Sequence, residues 1–299
     1  MTETATVACI LCTESGPFRR RGAKGGYGIE ECPACGLVQL VPTPSPETLR
    51  ALYEGESYFG GGEGDSGYAQ YASQEQEYLA TFREDVRRIR ELVPTGRLLE
   101  VGCGYGYFLK CALDAGYDAY GIDLSPEAVA QAQARFPGRV FRGLLEQVPE
   151  IQGQAFDVVF ASHLIEHLTE PAAFLRAAGR LLRPGGLVVL VTPNIKSLLA
   201  RFSGPRWVSF KIPEHVSYYD PRTITELLRR SGYEVRAIDS AYQHYSLPFV
   251  TSRVRQLLHP VSLLVPPVER LPLLRERRVR VTSGSMRVLA ARKGDEKTA

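Results

Sequence analysis

Long apolar runs and a strong charge of one sign are what this chain has least of. No stretch of 18 apolar residues occurs, so no segment has the length and hydropathy of a spanning helix. No apolar run follows a basic start, so no secretory signal is expected, and the expected setting is cytoplasmic and reducing. Acidic and basic residues nearly cancel: 36 Lys and Arg face 33 Asp and Glu, a net charge of +3. That is too small to argue for nucleic acid by itself, although the basic excess gathers near the C-terminus, and DNA is not an expected partner. What remains is an ordinary composition, 44% hydrophobic and 23% charged over 299 residues, enough for one large α/β domain plus an appendage.

The stretch from Arg97 to Ser125, RLLEVGCGYGYFLKCALDAGYDAYGIDLS, organises the rest. An apolar run through Leu98, Leu99 and Val101 breaks at Gly102-Cys103-Gly104-Tyr105-Gly106. A helix-compatible segment follows from Tyr107 to Ala115, and a second apolar run closes on Asp123. A chain that leaves a buried strand and turns directly into a helix needs positive φ angles, and glycines there also let a ligand approach the backbone. Asp123 lies about 20 residues beyond Gly102, the separation at which an acid ending the second strand of a βαβ unit accepts hydrogen bonds from ribose hydroxyls. A nucleoside is the expected ligand.

Dinucleotide enzymes would carry Gly or Ala at position 107, where this chain has Tyr107. The G-x-G-x-G spacing instead resembles motif I of the class I S-adenosylmethionine-dependent methyltransferases. The segments FDVVFASHLIEHL and LLRPGGLVVLVTPN resemble that family's later motifs, in register, so the resemblance covers about residues 97 to 240. It implies a Rossmann-like α/β fold: a doubly wound seven-stranded sheet with the last strand antiparallel and its ligand crevice at the strands' C-terminal ends. S-adenosylmethionine is the implied cofactor. Its implied site comprises Glu100 at the methionine end, Gly102, Cys103, Gly104 and Gly106 in the turn, Asp123 and Leu124 beside the ribose, Leu145 and Glu146 near adenine, and Ser162. The turn after the third strand departs from the pattern. It has Leu144 where the family usually carries an Asp toward the adenine amino group, so Glu146, backbone or apolar packing is expected there instead.

Methyl transfer to a hydroxyl needs its proton removed, and a neutral imidazole does this near pH 7. His215 heads the candidates, because its segment, Trp207 to Tyr219, is expected to overhang the crevice. His163 follows at a strand end, and His167 belongs to a Glu-His pair that recurs in the family. His163-Leu-Ile-Glu166-His167 also spells the inverted zinc-peptidase motif, but it directly follows a buried strand inside a nucleoside-binding unit, which argues against a peptidase. A similar segment in the quinone-biosynthesis O-methyltransferases implies another option, a divalent cation near the substrate. Asn194 follows Thr192-Pro193 without the prolines and aromatic that hold a flipped base, which lowers base N-methylation.

Four of the six cysteines form two knuckles, Cys9-x2-Cys12 and Cys32-x2-Cys35, a spacing that offers four thiolates to one Zn²⁺. The metal would replace the core that about 40 residues cannot build. Between the knuckles, FRRRGAKGGYGIEE reads as a β hairpin with a basic tip at Arg19, Arg20 and Arg21, open to solvent, RNA or an anionic substrate. The expected organisation is a zinc ribbon over 1–41, a linker and helical or lid segment over 42–96, and the main domain over 97–295 with an insertion at 242–280.

Within the linker, Ser45 and Pro46 start a helix, residues 55–67 form a glycine-rich loop, and residues 74–92 form a helix that packs on the sheet. Tyr53, Tyr58, Tyr68 and Tyr71 are candidates to cover the cofactor. Sixth and seventh strands are expected at Tyr233 to Ile238 and Ser285 to Ala291. The insertion between them is apolar but broken by Pro266, Pro267 and Pro272 and flanked by arginines, which leaves open peripheral membrane contact through 253–280, a lid or a dimer contact. The expected activity is transfer of a methyl group to a small-molecule acceptor, most naturally an oxygen. An RNA methyltransferase and a non-catalytic cofactor-binding scaffold are the alternatives.

Overall fold

The computed structural model describes residues 7–54, 74–251 and 277–294. The N-terminal part contains β1 (Val7–Ala8), β2 (Ser15–Gly16), β3 (Arg19–Lys24), β4 (Tyr27–Glu31) and β5 (Val38–Val41). Helix α1 (Pro46–Glu54) follows, capped by Ser45 Oγ, which accepts from Thr48 N at 3.2 Å. Helix α2 (Glu75–Arg90) then buries Leu79, Phe82, Val86 and Ile89, the helical stripe expected of 74–92.

The main domain alternates strand and helix: β6 (Arg97–Val101), α3 (Tyr107–Asp114), β7 (Asp118–Asp123), α4 (Pro126–Arg135), β8 (Val140–Arg142), β9 (Phe156–Ser162), α5 (Pro171–Leu181) and β10 (Leu182–Pro193). It ends with α6 (Leu198–Ser203), β11 (Ser217–Tyr218), α7 (Pro221–Arg230), β12 (Tyr233–Ser246) and β13 (Arg278–Arg292). Seven of these strands form one sheet in the order β12-β13-β10-β9-β6-β7-β8. Strands β6 to β10 pair in parallel, and β13 lies antiparallel to both β10 and β12. This is the expected Rossmann-like architecture. Its two faces are covered by helices, and on one of them Phe108 of α3 stacks flat on Phe160 of β9 at 3.6 Å, with Phe82 of α2 edge-on to both. Burying each such side chain contributes about 1.5–3 kcal/mol.

Two expectations about the strands change. Strands β12 and β13 are far longer than expected and pair from Tyr233 opposite Arg292 to Ser246 opposite Arg278, with register shifts between Val235 and Ala237 and between Ala241 and Tyr242. The outer part of the 242–280 insertion therefore begins as a continuation of this hairpin. Arg278-Val279-Arg280-Val281-Thr282 alternates exposed and half-buried positions, as a half-covered strand does. Arg280 does not stand free for a lipid surface: its guanidinium donates to Glu84 of α2 and lies over the Tyr242 ring at 3.5 Å. The proline-broken stretch 261–274, the loop at 55–67, and Tyr58, Tyr68 and Tyr71 fall outside the described residues, as does the Tyr53 side chain. Among the described residues no helix is long and apolar enough to cross a membrane.

The ribbon is not a pendant. Its strands join β11 in a second sheet ordered β11-β5-β4-β3, with Ser217 opposite Gln39 and Tyr218 opposite Val38. Cys9, Leu11, Cys32 and Leu37 are buried in the same apolar cluster as Val159, Leu190 and Tyr219 of the main domain. Trp207, Ala200 and Tyr218, from the segment after β10, bury against Ile29, Val38 and Leu40. The expected basic tip is also corrected. The β3–β4 turn is made by Gly25 and Gly26, while Arg19 and Arg21 lie along β3 and both pair with Glu31.

Candidate functional site

The glycine turn between β6 and α3 has the left-handed backbone its residues suggest, with φ of +77° at Gly102, +51° at Gly104 and +77° at Gly106. The glycines serve different ends. At Gly106 a Cβ would come within 2.9 Å of the Phe136 ring, so that glycine is a packing requirement. Gly102 is exposed on the crevice side, and the nearest atom to a Cβ there would be Leu164 Cδ1 at 3.6 Å. Cys103 is 1% exposed with its side chain packed toward Gly121, and only its backbone belongs to the turn, where its amide and that of Gly102 donate to Ile122 O.

Asp123 ends β7 and spans the turn. Its Oδ2 accepts from Gly104 N at 2.8 Å and its Oδ1 from Ser125 N at 2.9 Å. Burial raises its pKa against these hydrogen bonds. Each oxygen keeps a lone pair for a further donor. Glu100 is placed differently from expectation. It is 3% exposed, and its Oε2 accepts from Leu109 N at 3.0 Å beneath α3, with burial pushing its pKa well above the usual carboxylate range. Through that oxygen it braces the start of the helix from below. Leu145 is likewise drawn into the core, at 4% exposed, and Glu146 faces solvent. Leu124 and Leu144, in the turns after β7 and β8, are each 36% exposed. Asn194 is used locally, its Oδ1 accepting from Lys196 N at 2.9 Å.

Beside the glycine turn, β9 ends at half-buried Ser162, and the chain turns sharply at His163, whose φ is +52°. A non-glycine residue in this region is strained, and such positions concentrate at functional sites. The amide of His163 donates to Val191 O at 2.8 Å, and a short 3₁₀ turn, Ile165–His167, swings Glu166 back beneath it. Glu166 is 1% exposed; its Oε1 lies 3.1 Å from His163 Nδ1 and its Oε2 accepts from Thr192 Oγ1 at 2.9 Å. Burial alone would raise the Glu166 pKa, but the hydrogen bond with His163 and the neighbouring imidazoles outweigh it and hold the carboxyl at about 2. An ionised carboxylate only accepts, so the His163 proton sits on Nδ1. Its Nε2 has no partner among the described residues, and the side chain is 24% exposed.

The other two histidines are not at the surface of the crevice. His167 is 7% and His215 4% exposed, with their rings edge to face at 4.6 Å. The segment expected to overhang the crevice is instead pressed between the ribbon and the main sheet, which buries His215 and leaves its Nδ1 without a partner among the described residues. One ligand atom each of Glu166, His167 and His215 lies within 4.8 Å of the others, while both Glu166 oxygens already accept hydrogen bonds. Burial lowers the His167 pKa to about 4 and pushes His215 well below its usual range. In the unfolded chain a histidine titrates near 6.5, so the unfolded state binds the extra protons between that pH and about 4. His167 alone then contributes roughly 3 kcal/mol of stability above pH 6.5 that is lost as the pH falls toward 4. We expect Tm to drop from pH 7 to pH 5 in scanning calorimetry, and less steeply in His167→Gln; equal slopes would contradict this assignment.

The four ribbon cysteines also converge. Cys9 and Cys35 sulfurs are 3.5 Å apart, Cys12 and Cys32 sulfurs 3.6 Å, and all four lie within 4.8 Å of one another. These separations are far too long for disulfides and close to the edges of a tetrahedron with metal–sulfur bonds of about 2.3 Å. The donor set and its geometry fit zinc.

Residues 71–238, more than half of the chain, match the family described as "Methyltransferase domain". The chain belongs to this methyltransferase family. It is 31% identical over 148 residues to a ubiquinone biosynthesis O-methyltransferase of Cereibacter sphaeroides, covering 46% of this chain and 60% of that protein. It is 35% identical over 139 residues to a Mycolicibacterium smegmatis protein named "Probable S-adenosylmethionine-dependent methyltransferase", covering 46% of this chain and 52% of the relative. The match thus spans three fifths or less of these relatives' lengths. Magnesium protoporphyrin IX methyltransferase from Synechocystis, solved with bound S-adenosylhomocysteine, shares the fold at a TM-score of 0.52 with 15% identity, over 83% of this chain and all of that one.

Thr192 escaped the sequence reading. Its hydroxyl sits 26 residues from Glu166 and meets it only because β9 and β10 are adjacent. A Thr ending a buried strand next to a Pro was its one signal.

Proposed function

We propose that this methyltransferase moves a methyl group from S-adenosylmethionine to a hydroxyl oxygen of a small-molecule acceptor, with His163 as general base. The observation that carries the reading is the Glu166–His163 pair: a buried carboxylate fixes the Nδ1–H tautomer and leaves Nε2 bare at the end of β9, next to the glycine turn. When bound, S-adenosylmethionine supplies an electrophilic sulfonium methyl. The exposed face of Gly102 would admit the cofactor against the backbone, Asp123 would accept from its ribose hydroxyls, and Leu124 and Leu144 would pack against its adenine in place of the missing Asp. His163 Nε2 would take the acceptor's hydroxyl proton, and the methyl carbon would pass to that oxygen as its bond to the sulfonium sulfur breaks, leaving S-adenosylhomocysteine. Thr192 keeps Glu166 in place, with the packed rings of His167 and His215 beside it. The ribbon cysteines Cys9, Cys12, Cys32 and Cys35 hold a structural zinc in this reading.

Relatives named "Ubiquinone biosynthesis O-methyltransferase" support the oxygen acceptor. An RNA acceptor would need a free basic path from the ribbon to the crevice, and the pairing of Arg19 and Arg21 with Glu31 weighs against one. The test is calorimetric titration with S-adenosylhomocysteine, zinc quantified on the same sample, followed by screening of hydroxylated small molecules for release of S-adenosylhomocysteine. We expect micromolar binding, one zinc per chain and turnover on a phenolic or alcoholic acceptor. Binding without turnover on any acceptor would favour a scaffold, and no binding would remove the cofactor site.

A further inference from the structure

One side chain joins the cysteine centre to the strand pairing that supports the histidine cluster. Gln39, 1% exposed in β5, accepts from Ile10 N through Oε1 and donates from Nε2 to Ala8 O, both at 3.1 Å, and so grips the chain on either side of Cys9. The backbone of the same strand continues the path. Gln39 pairs with Ser217, Leu40 N donates to Val216 O at 2.9 Å, and Val216 N donates to Glu166 O at 2.8 Å. Glu166 in turn holds His163 Nδ1 at 3.1 Å. Every link from Cys9 to His163 is a hydrogen bond or a covalent neighbour. Removing the Gln39 amide would take the partner from the amide of half-buried Ile10 and from the carbonyl of Ala8, and with them the two hydrogen bonds that tie the Cys9 knuckle to β5.

We propose that Gln39 is a positioning residue: it locks the Cys9 knuckle onto β5 and, through Val216, fixes the height of Glu166 and thereby the tautomer of His163. Loading of the cysteine centre then sets the state of a group in the crevice although no ribbon residue need touch the substrate. The β5–β11 pairing is the physical element through which this coupling acts, because Val216 N–H meets Glu166 O only while β11 is held on β5. The catalytic meaning of the inference rests on His163 being the base; the structural coupling does not.

The test uses the full chain, zinc-loaded, compared with Gln39→Leu and, independently, with wild type stripped of metal by a chelator. Hydrogen exchange is followed at the Val216 and Leu40 amides, and long-range proton–nitrogen spectra report the His163 ring, assigned by its loss in His163→Gln. In loaded wild type we expect a single Nδ1–H tautomer. In both perturbed samples we expect Val216 exchange to rise about tenfold and His163 to become a tautomer mixture, while S-adenosylhomocysteine affinity stays within about threefold. Gln39→Glu, which keeps the acceptor for Ile10 N but not the donor to Ala8 O, should fall between. Unchanged Val216 protection or an unchanged His163 tautomer in either sample would overturn the proposal. So would loss of secondary structure together with cofactor binding, which would make ribbon and domain a single folding unit with no selective link. Neither readout needs an acceptor, so failure to find turnover would count against the proposed function and leave this inference standing.

Discussion

Replacing His163 with Ala is expected to lower turnover by about 100- to 10,000-fold, the usual contribution of a positioned general base, with S-adenosylhomocysteine affinity within a few-fold of wild type. The large effect follows from geometry. Among the three candidate histidines, only His163 combines a partly exposed ring with a bare Nε2 and a carboxylate behind Nδ1. His215→Ala should behave differently. It removes a buried ring packed on His167, so it should lower Tm while leaving turnover per folded molecule within several-fold of wild type. Single-turnover release of S-adenosylhomocysteine, measured well below each variant's Tm, separates the two. Wild-type turnover in His163→Ala would put the base elsewhere.

Asp123→Ala is expected to weaken S-adenosylhomocysteine binding by about 2–3 kcal/mol, roughly 30- to 150-fold, the scale for losing charge-assisted hydrogen bonds. The carboxylate also closes the glycine turn through Gly104 N and Ser125 N, so part of the loss would come from a turn that no longer holds its shape. Asp123→Asn separates the two contributions. Its side-chain oxygen can still accept one of these amides, so Tm should recover more than affinity does. Calorimetric affinity at the wild-type level in Asp123→Ala would exclude the residue from the cofactor site.

Much of the fold could be read from local pattern. The glycine turn, the Ser125 cap of α4 with Pro126 in first position, and the helical stripe of α2 all depend on residues a few positions apart, whose steric and hydrogen-bonding needs the sequence displays directly. The cysteine knuckles were legible for the same reason. The full length of β12 and β13 is not legible locally: prolines interrupt the insertion beside the short Arg-Val alternation, and cross-strand pairing over that distance carries no local marker. Glu100 and Leu145 were assigned to the cofactor by motif position. Whether a side chain at such a position faces the crevice or the core depends on the packing of α3 and of the turn after β8, which motif spacing does not encode.

The ribbon shows the same division. The convergence of its four cysteines follows from spacing, but its fusion to the domain rests on β5 meeting β11 from the far side of the chain and on Trp207 and Tyr218 burying against Leu40. That contact moved His215 from the crevice into the interior. The sequence by itself determined the class of fold, the glycine turn with its closing acid, and the convergence of four cysteines, because each is set by steric or bonding requirements within a short span. Which histidine stays partly exposed at the end of β9, and what holds it there, only the tertiary structure decided. The answer depends on a positive φ at His163, on Thr192 arriving from the neighbouring strand, and on a second sheet that closes over Val216, and long-range packing alone brings those together.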